Sequence, residues 1–189
     1  MTDKVQQTLS QKEPLKVMQT AATQDFGQKI PVIDARAGKY LSFHVGPEEF
    51  AIGVLGVREI MGMQDVTAVP HTPAYVKGII NLRGKVVPVV DLRLKFAMPA
   101  TEYTARTCII VVDLAGESGS VLMGVIVDSV SEVVNITAGE IEDAPDFGEE
   151  VSIPYLIGIA KTKGKVKLLL NIEKVLTATE LTDISRLLN

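Results

Sequence analysis

Tyr75–Arg93 reads YVKGIINLRGKVVPVVDLR, and Tyr155–Glu173 reads YLIGIAKTKGKVKLLLNIE. Tyr, Gly, Ile, Gly, Lys and Val recur in register at Tyr75/Tyr155, Gly78/Gly158, Ile79/Ile159, Gly84/Gly164, Lys85/Lys165 and Val86/Val166. In each copy two apolar runs flank a short turn, Arg83-Gly84 or Lys163-Gly164. A glycine there supplies the positive φ of a tight hairpin, so both stretches predict two paired strands. Pro88 has no N–H to donate and predicts an edge position or a bulge for the second strand. The distinctive polar groups do not recur: Asn81, Arg83, Pro88 and Asp91 become Lys161, Lys163, Leu168 and Asn171. The architecture is duplicated, and a specific binding surface is expected on one copy only.

The repeat continues upstream. Val57-Arg58-Glu59-Ile60 resembles Val130-Ser131-Glu132-Val133, and each follows an apolar strand, AIGV or GVIV. Each then leads through a strand and a proline loop (Pro70, Pro145) to its hairpin. Two copies of about 70 residues, each small for independent stability, are expected to bury a shared face. Further strands are expected at YLSFHV and EFAIGV around Gly46-Pro47, and at Thr107–Asp113, Val121–Asp128 and Glu132–Ile136. VREIMG is expected to form a brief helical turn. Short strands with Gly-marked turns predict an all-β fold of barrels or sandwiches. Residues 1–36 are polar and read as a flexible N-terminal extension, followed by a folded body over 37–176. Thr177 and Glu180 fit a capping box, and Leu181, Ile184 and Leu188 share one face, which predicts a C-terminal helix over 177–189.

The chain has 189 residues, 47% of them hydrophobic, which suits a folded body with its own core. A net charge of −4 provides no global basic field for nucleic acid. One cysteine excludes an internal disulfide framework and a multi-cysteine zinc site, and the two histidines have no metal-ligand spacing. Cys108, in RTCIIVV, reads as a buried structural thiol rather than a reactive one. The N-terminus lacks the apolar stretch of a signal peptide, and the apolar runs are broken by charge, as by Asp128 in GVIVDSV, so a cytoplasmic chain without membrane insertion is expected. No nucleophile elbow, zinc-protease helix, phosphate loop or dinucleotide fingerprint is present. Acidic stretches such as EEF, GEE and IEDAPD read as solvated loops; a paired-carboxylate hydrolase or transferase site is the competing reading.

A few charges lie within apolar sequence. Arg83 reads either as a solvated turn residue or as a fork that meets the Glu59 carboxylate at the rim of a binding groove. Asp91 reads as a strand-closing acceptor for nearby backbone N–H groups. Val57 and Phe147 each read as core or as exposed anchor, with APDFGEE favouring exposure for Phe147.

At these residues the sequence resembles the CheW family of bacterial chemotaxis coupling proteins. The carriers are YLSFHVGPEEFAIGVLGVREI, TPAYVKGIINLRGKVVPVVDLR, GVIVDSVSEVV and YLIGIAKTKGKVKLLLNIEKVL, spanning about Lys39 to Leu176. The resemblance implies two SH3-like five-stranded β-barrel subdomains packed together, no enzyme activity and no cofactor. It implies partners too: cytoplasmic tips of chemoreceptors (methyl-accepting chemotaxis proteins), the regulatory domain of the histidine kinase CheA, and further CheW copies. Glu59 and Arg83 match the family's acid and arginine near its receptor-contact groove, and Val57, Gly78 and Gly124 match other positions of it. Ile109 is expected to line that groove from the second barrel. Phe147 matches an apolar anchor toward the kinase. The extension before the first strand departs from a minimal family member.

Overall fold

The computed structural model describes residues 34–116, 119–145 and 153–186. Among these residues, eleven strands and two short helices follow one another: β1 Gly38–Val45, β2 Glu48–Gly53, β3 Val57–Gly62, β4 Val76–Leu82, β5 Lys85–Asp91, α1 Leu92–Lys95, β6 Cys108–Gly116, β7 Gly119–Val127, β8 Ser129–Ile136, β9 Ile141–Glu142, β10 Leu156–Thr162, β11 Lys165–Leu170 and α2 Ala178–Arg186. They form two curled sheets. The first barrel has the order β3-β6-β7-β5-β4, the second β8-β1-β2-β11-β10-β9.

The two sheets exchange strands between the sequence repeats. The hairpin β1–β2 of the first repeat lies in the second barrel, between β8 and β11. The hairpin β6–β7 of the second repeat lies in the first barrel, between β3 and β5. The registers match: Val89 faces Gly124 across a parallel pair, and Leu169 faces Ala51 across its counterpart. Each barrel is therefore completed by the other repeat.

Side-chain alternation explains why several strands are apolar on both faces. Leu41, Phe43, Ile110, Val112, Met123 and Val125 point into a central core shared by both sheets and by Ile184 of α2. Residues of opposite phase fill the barrels: Ile80, Val87, Val89, Ile109, Val111 and Ile126 in the first, Tyr40, Ala51, Val134, Ile136 and Leu169 in the second. Phe43, Phe50, Phe96 and Tyr155 form a run of ring contacts through the junction, with successive centroids 6.1, 5.3 and 5.1 Å apart.

Three local expectations need correction. VREIMG is strand β3, alternating half-buried and exposed; the helical turn is the 3-10 segment Val54–Gly56 just before it. Pro88 is in an interior strand, between β7 and β4, opposite Ile79. The bulge is on the facing strand, where the register slips between Val76 and Gly78. At the N-terminal boundary, Asp34 and Arg36 already belong to the body: the Arg36 guanidinium pairs with Asp34 and Asp143 and donates to the Ile157 carbonyl.

Candidate protein-docking site

Both hairpin turns have the same backbone. Arg83 and Gly84 have φ of 51° and 84°, and Lys163 and Gly164 have 51° and 75°. Positive φ at both central positions is the two-residue turn that follows the natural twist of the strands. Asn81 accepts the Gly84 N–H at 2.8 Å, which pins the first turn from its own side chain. The rigid turn aims Arg83 across the seam of the first barrel, where its Nη2 donates to Glu59 Oε1 of β3 at 3.0 Å. The guanidinium spends one donor there and stays largely exposed, at 79%, against 30% for the Glu59 side chain. β3 and β4 are the two ends of this sheet, so the pair spans the gap between them.

The second barrel carries the counterpart. Lys163 Nζ lies 3.7 Å from Glu132 on β8, the residue equivalent to Glu59. Glu132 is also 3.8 Å from the amine of Lys167, which is 1% exposed and forms an ion pair with Glu49. Burial favours the neutral form of Glu49, yet the Lys167 ammonium holds its carboxyl below the usual value. The register places Ser42, Glu49 and Lys167 where the first barrel has Val111, Leu122 and Val87. The duplicate glutamate is thus tied to an internal polar network, while among the described residues Glu59 pairs with the exposed Arg83 alone.

The other sequence-predicted residues divide by depth. Val57 is half-buried against the central core. Gly78 has φ of 137°, and a Cβ there would collide with the Thr67 carbonyl where that residue bridges β4. Its counterpart Gly158 would place a Cβ 2.8 Å from the Glu142 carbonyl. Gly124 is buried, with a Cβ position 2.9 Å from Ile109 Cγ2. Ile109 itself is 0% exposed and belongs to β6 of the first barrel. It therefore packs inside the first barrel and does not line a surface from the second barrel. Phe147 lies outside the described residues. Asp91 accepts the N–H groups of Arg93 and Leu94 and the Tyr103 hydroxyl, capping α1 as expected of a strand-closing acceptor.

Sequence reasoning missed the apolar surface beside the pair. Ile60 and Val86 are exposed, as are their counterparts Val133 and Val166, and Leu55 is 96% exposed. The signal was phase: in β3, Glu59 and Met61 sit opposite Val111 and Ile109 of the first-barrel interior, so Ile60 falls on the other face, and the register slip between Val57 and Glu59 turns Val57 toward the central core. Exposed aliphatic side chains around a single-bonded ion pair on a rigid turn suit a protein partner. Among the described residues, no group of three or more His, Cys, Asp or Glu is placed to hold a metal ion. Burial pushes the Cys108 thiol pKa up, away from a reactive thiolate. No described helix is long and apolar enough to cross a membrane.

Comparison with known proteins agrees with this architecture. The CheW-like domain family matches residues 39–180. The chemotaxis protein CheW of Klebsiella aerogenes is 38% identical over 143 residues, covering 76% of this chain and 84% of that one. CheW of Bacillus subtilis is 37% identical over 122 residues, covering 63% and 76%. Among solved structures, the scaffolding protein TtCheW of Thermoanaerobacter tengcongensis superposes with a TM-score of 0.67 at 30% identity, covering 76% of this chain and 97% of that one. The family match, these relatives and the shared fold place the chain in the CheW-like family of chemotaxis scaffold proteins, which are not enzymes.

Proposed function

We propose that the chain is an adaptor that couples chemoreceptor cytoplasmic tips to the regulatory domain of CheA. It works in the cytoplasm at membrane-bound receptor arrays, alongside further copies of the same family. The observation that carries this reading is the Arg83–Glu59 pair: a mostly free guanidinium held on a positive-φ turn, with exposed Ile60 and Val86 nearby. Glu59 and Arg83 supply the receptor contact, with Val57 beside them and Gly78, Gly124 and Ile109 shaping the ground beneath. Phe147 supplies an anchor toward the kinase.

The test is binding of a soluble receptor cytoplasmic fragment and of the CheA regulatory domain, measured separately. Arg83→Ala weakens the receptor fragment more than the kinase domain. Phe147→Ala does the reverse, by about 2 kcal/mol or more if the ring is a buried anchor in the complex. Absence of binding to either partner by the unmodified chain contradicts the adaptor reading.

A further inference from the structure

One carboxylate joins the two barrels. Asp128 lies where the chain leaves β7 of the first barrel and enters β8 of the second. It forms a two-point contact with the Arg93 guanidinium, Nε to Oδ1 at 3.3 Å and Nη2 to Oδ2. Arg93 belongs to α1, directly after β5 of the first barrel. Asp128 Oδ2 also accepts the Gly46 N–H at 2.7 Å, in the β1–β2 turn of the second barrel. The Asp128 N–H donates to the His44 carbonyl at 3.0 Å. The pair is largely shielded, with side-chain exposures of 18% and 29%.

Arg93 is itself held from behind. The buried Asp91 accepts the Arg93 N–H at 2.9 Å and the Tyr103 hydroxyl at 2.9 Å. A continuous path of hydrogen bonds runs Tyr103, Asp91, Arg93, Asp128, Gly46, from one barrel to the other. Among the described residues, the second repeat keeps only the counterpart of the Asp91–Arg93 step. Asn171 accepts the Glu173 N–H at 3.0 Å, as Asp91 does for Arg93, but the side chain that follows is an exposed glutamate. The residue equivalent to Asp128 at the other crossover is Leu55, which is 96% exposed. The pseudo-twofold relation is therefore broken at the crossovers: one is strapped and the other is open.

We infer that Arg93 and Asp128 are positioning residues that set the angle between the barrels, so that a receptor held by one and a kinase held by the other meet in a productive geometry. This rests on the coupling reading above. A planar fork is required for the two-point contact; lysine offers a single charge and does not reproduce it.

The test is a distance between the hairpin tips in the isolated protein, using spin labels on a Lys85→Cys, Lys165→Cys variant. The buried Cys108 stays unlabelled. A narrow distribution is expected for the parent and a broader or displaced one for Arg93→Lys and Asp128→Asn. The same two substitutions are expected to leave binding of the receptor fragment and of the CheA regulatory domain within about threefold. Receptor-dependent kinase activation then falls by about tenfold, an ordinary size for coupling between sites. An unchanged distribution in both variants overturns the inference, and so does full activation. Loss of folding in both variants does the same, since the pair is then a stabilising contact only. The distance uses the protein alone, so it tests the strap even where the parent binds neither partner and the adaptor reading fails.

Discussion

Arg83 and Lys163 share a backbone but differ in what their side chains can do. Both occupy positive φ, where the turn determines direction, so the contrast between them is chemical. An exposed ion pair contributes about 0–1 kcal/mol to stability. Glu59–Arg83 therefore matters for shape and partner choice more than for folding. Gly78 is the opposite case. Gly78→Ala forces a Cβ onto the Thr67 carbonyl at a φ of 137°. Overpacking of this kind costs about 1–3 kcal/mol, before the penalty for the backbone conformation. The expected result is a clear fall in melting temperature, with receptor and kinase binding lost together. A variant that folds normally yet loses receptor binding alone would show Gly78 to be a contact residue. Glu59 and Arg83 stood out as charges within apolar motifs, one in β3 and one on the hairpin turn, but their residues alone left a solvated reading open, and the resemblance is what singled them out. The burial of Ile109 was not, because a continuous apolar strand does not reveal which of its two faces meets solvent.

Among the elements, α2 is tied down at its first turn. Thr177 and Glu180 exchange capping hydrogen bonds of 3.2 and 2.7 Å. Glu180 also accepts from Lys95 at 2.6 Å and from the Tyr75 hydroxyl. Burial alone raises the Glu180 pKa, but these donors outweigh it and bring the carboxyl down from 4.5 to about 2. A depressed folded-state pKa means stabilisation that is complete above pH 4.5 and is lost as pH falls toward 2. Hydrogen bonds to a charged group are worth about 1.5–3 kcal/mol each, and partial exposure reduces this. Glu180→Gln is thus expected to lower the melting temperature at pH 7, with the difference from the parent shrinking at pH near 2. A pH-independent difference contradicts the electrostatic account of this cap. The capping box was legible from Thr177 and Glu180 alone, because its spacing is local. The contact with Lys95 was not, because it depends on where α1 comes to rest. β3 was misread for a related reason: a short strand between glycines has too few alternations to be told from a turn.

For the whole molecule, the exchange of hairpins between repeats is the feature that short-range patterns leave open. The repeat itself was visible in the sequence, but pairing partners such as Ala51 and Leu169 are far apart along the chain. Register over that range is decided by packing, not by turn chemistry. Neither half can complete a barrel alone. Fragments cut between α1 and β6 are expected to be largely unfolded separately and to regain strand structure on mixing. Two independently folded halves contradict the exchange.

The central claim is that the first barrel's turn couples the receptor while its structural duplicate does not. It is tested most directly by receptor-dependent activation of CheA, reconstituted with Arg83→Ala or Lys163→Ala in place of the parent chain. Both variants are expected to melt within a few degrees of the parent, since each loses one exposed ion pair. Activation is expected to fall sharply for Arg83→Ala and to persist for Lys163→Ala. Full activation by Arg83→Ala, or an equal loss in both, contradicts the account.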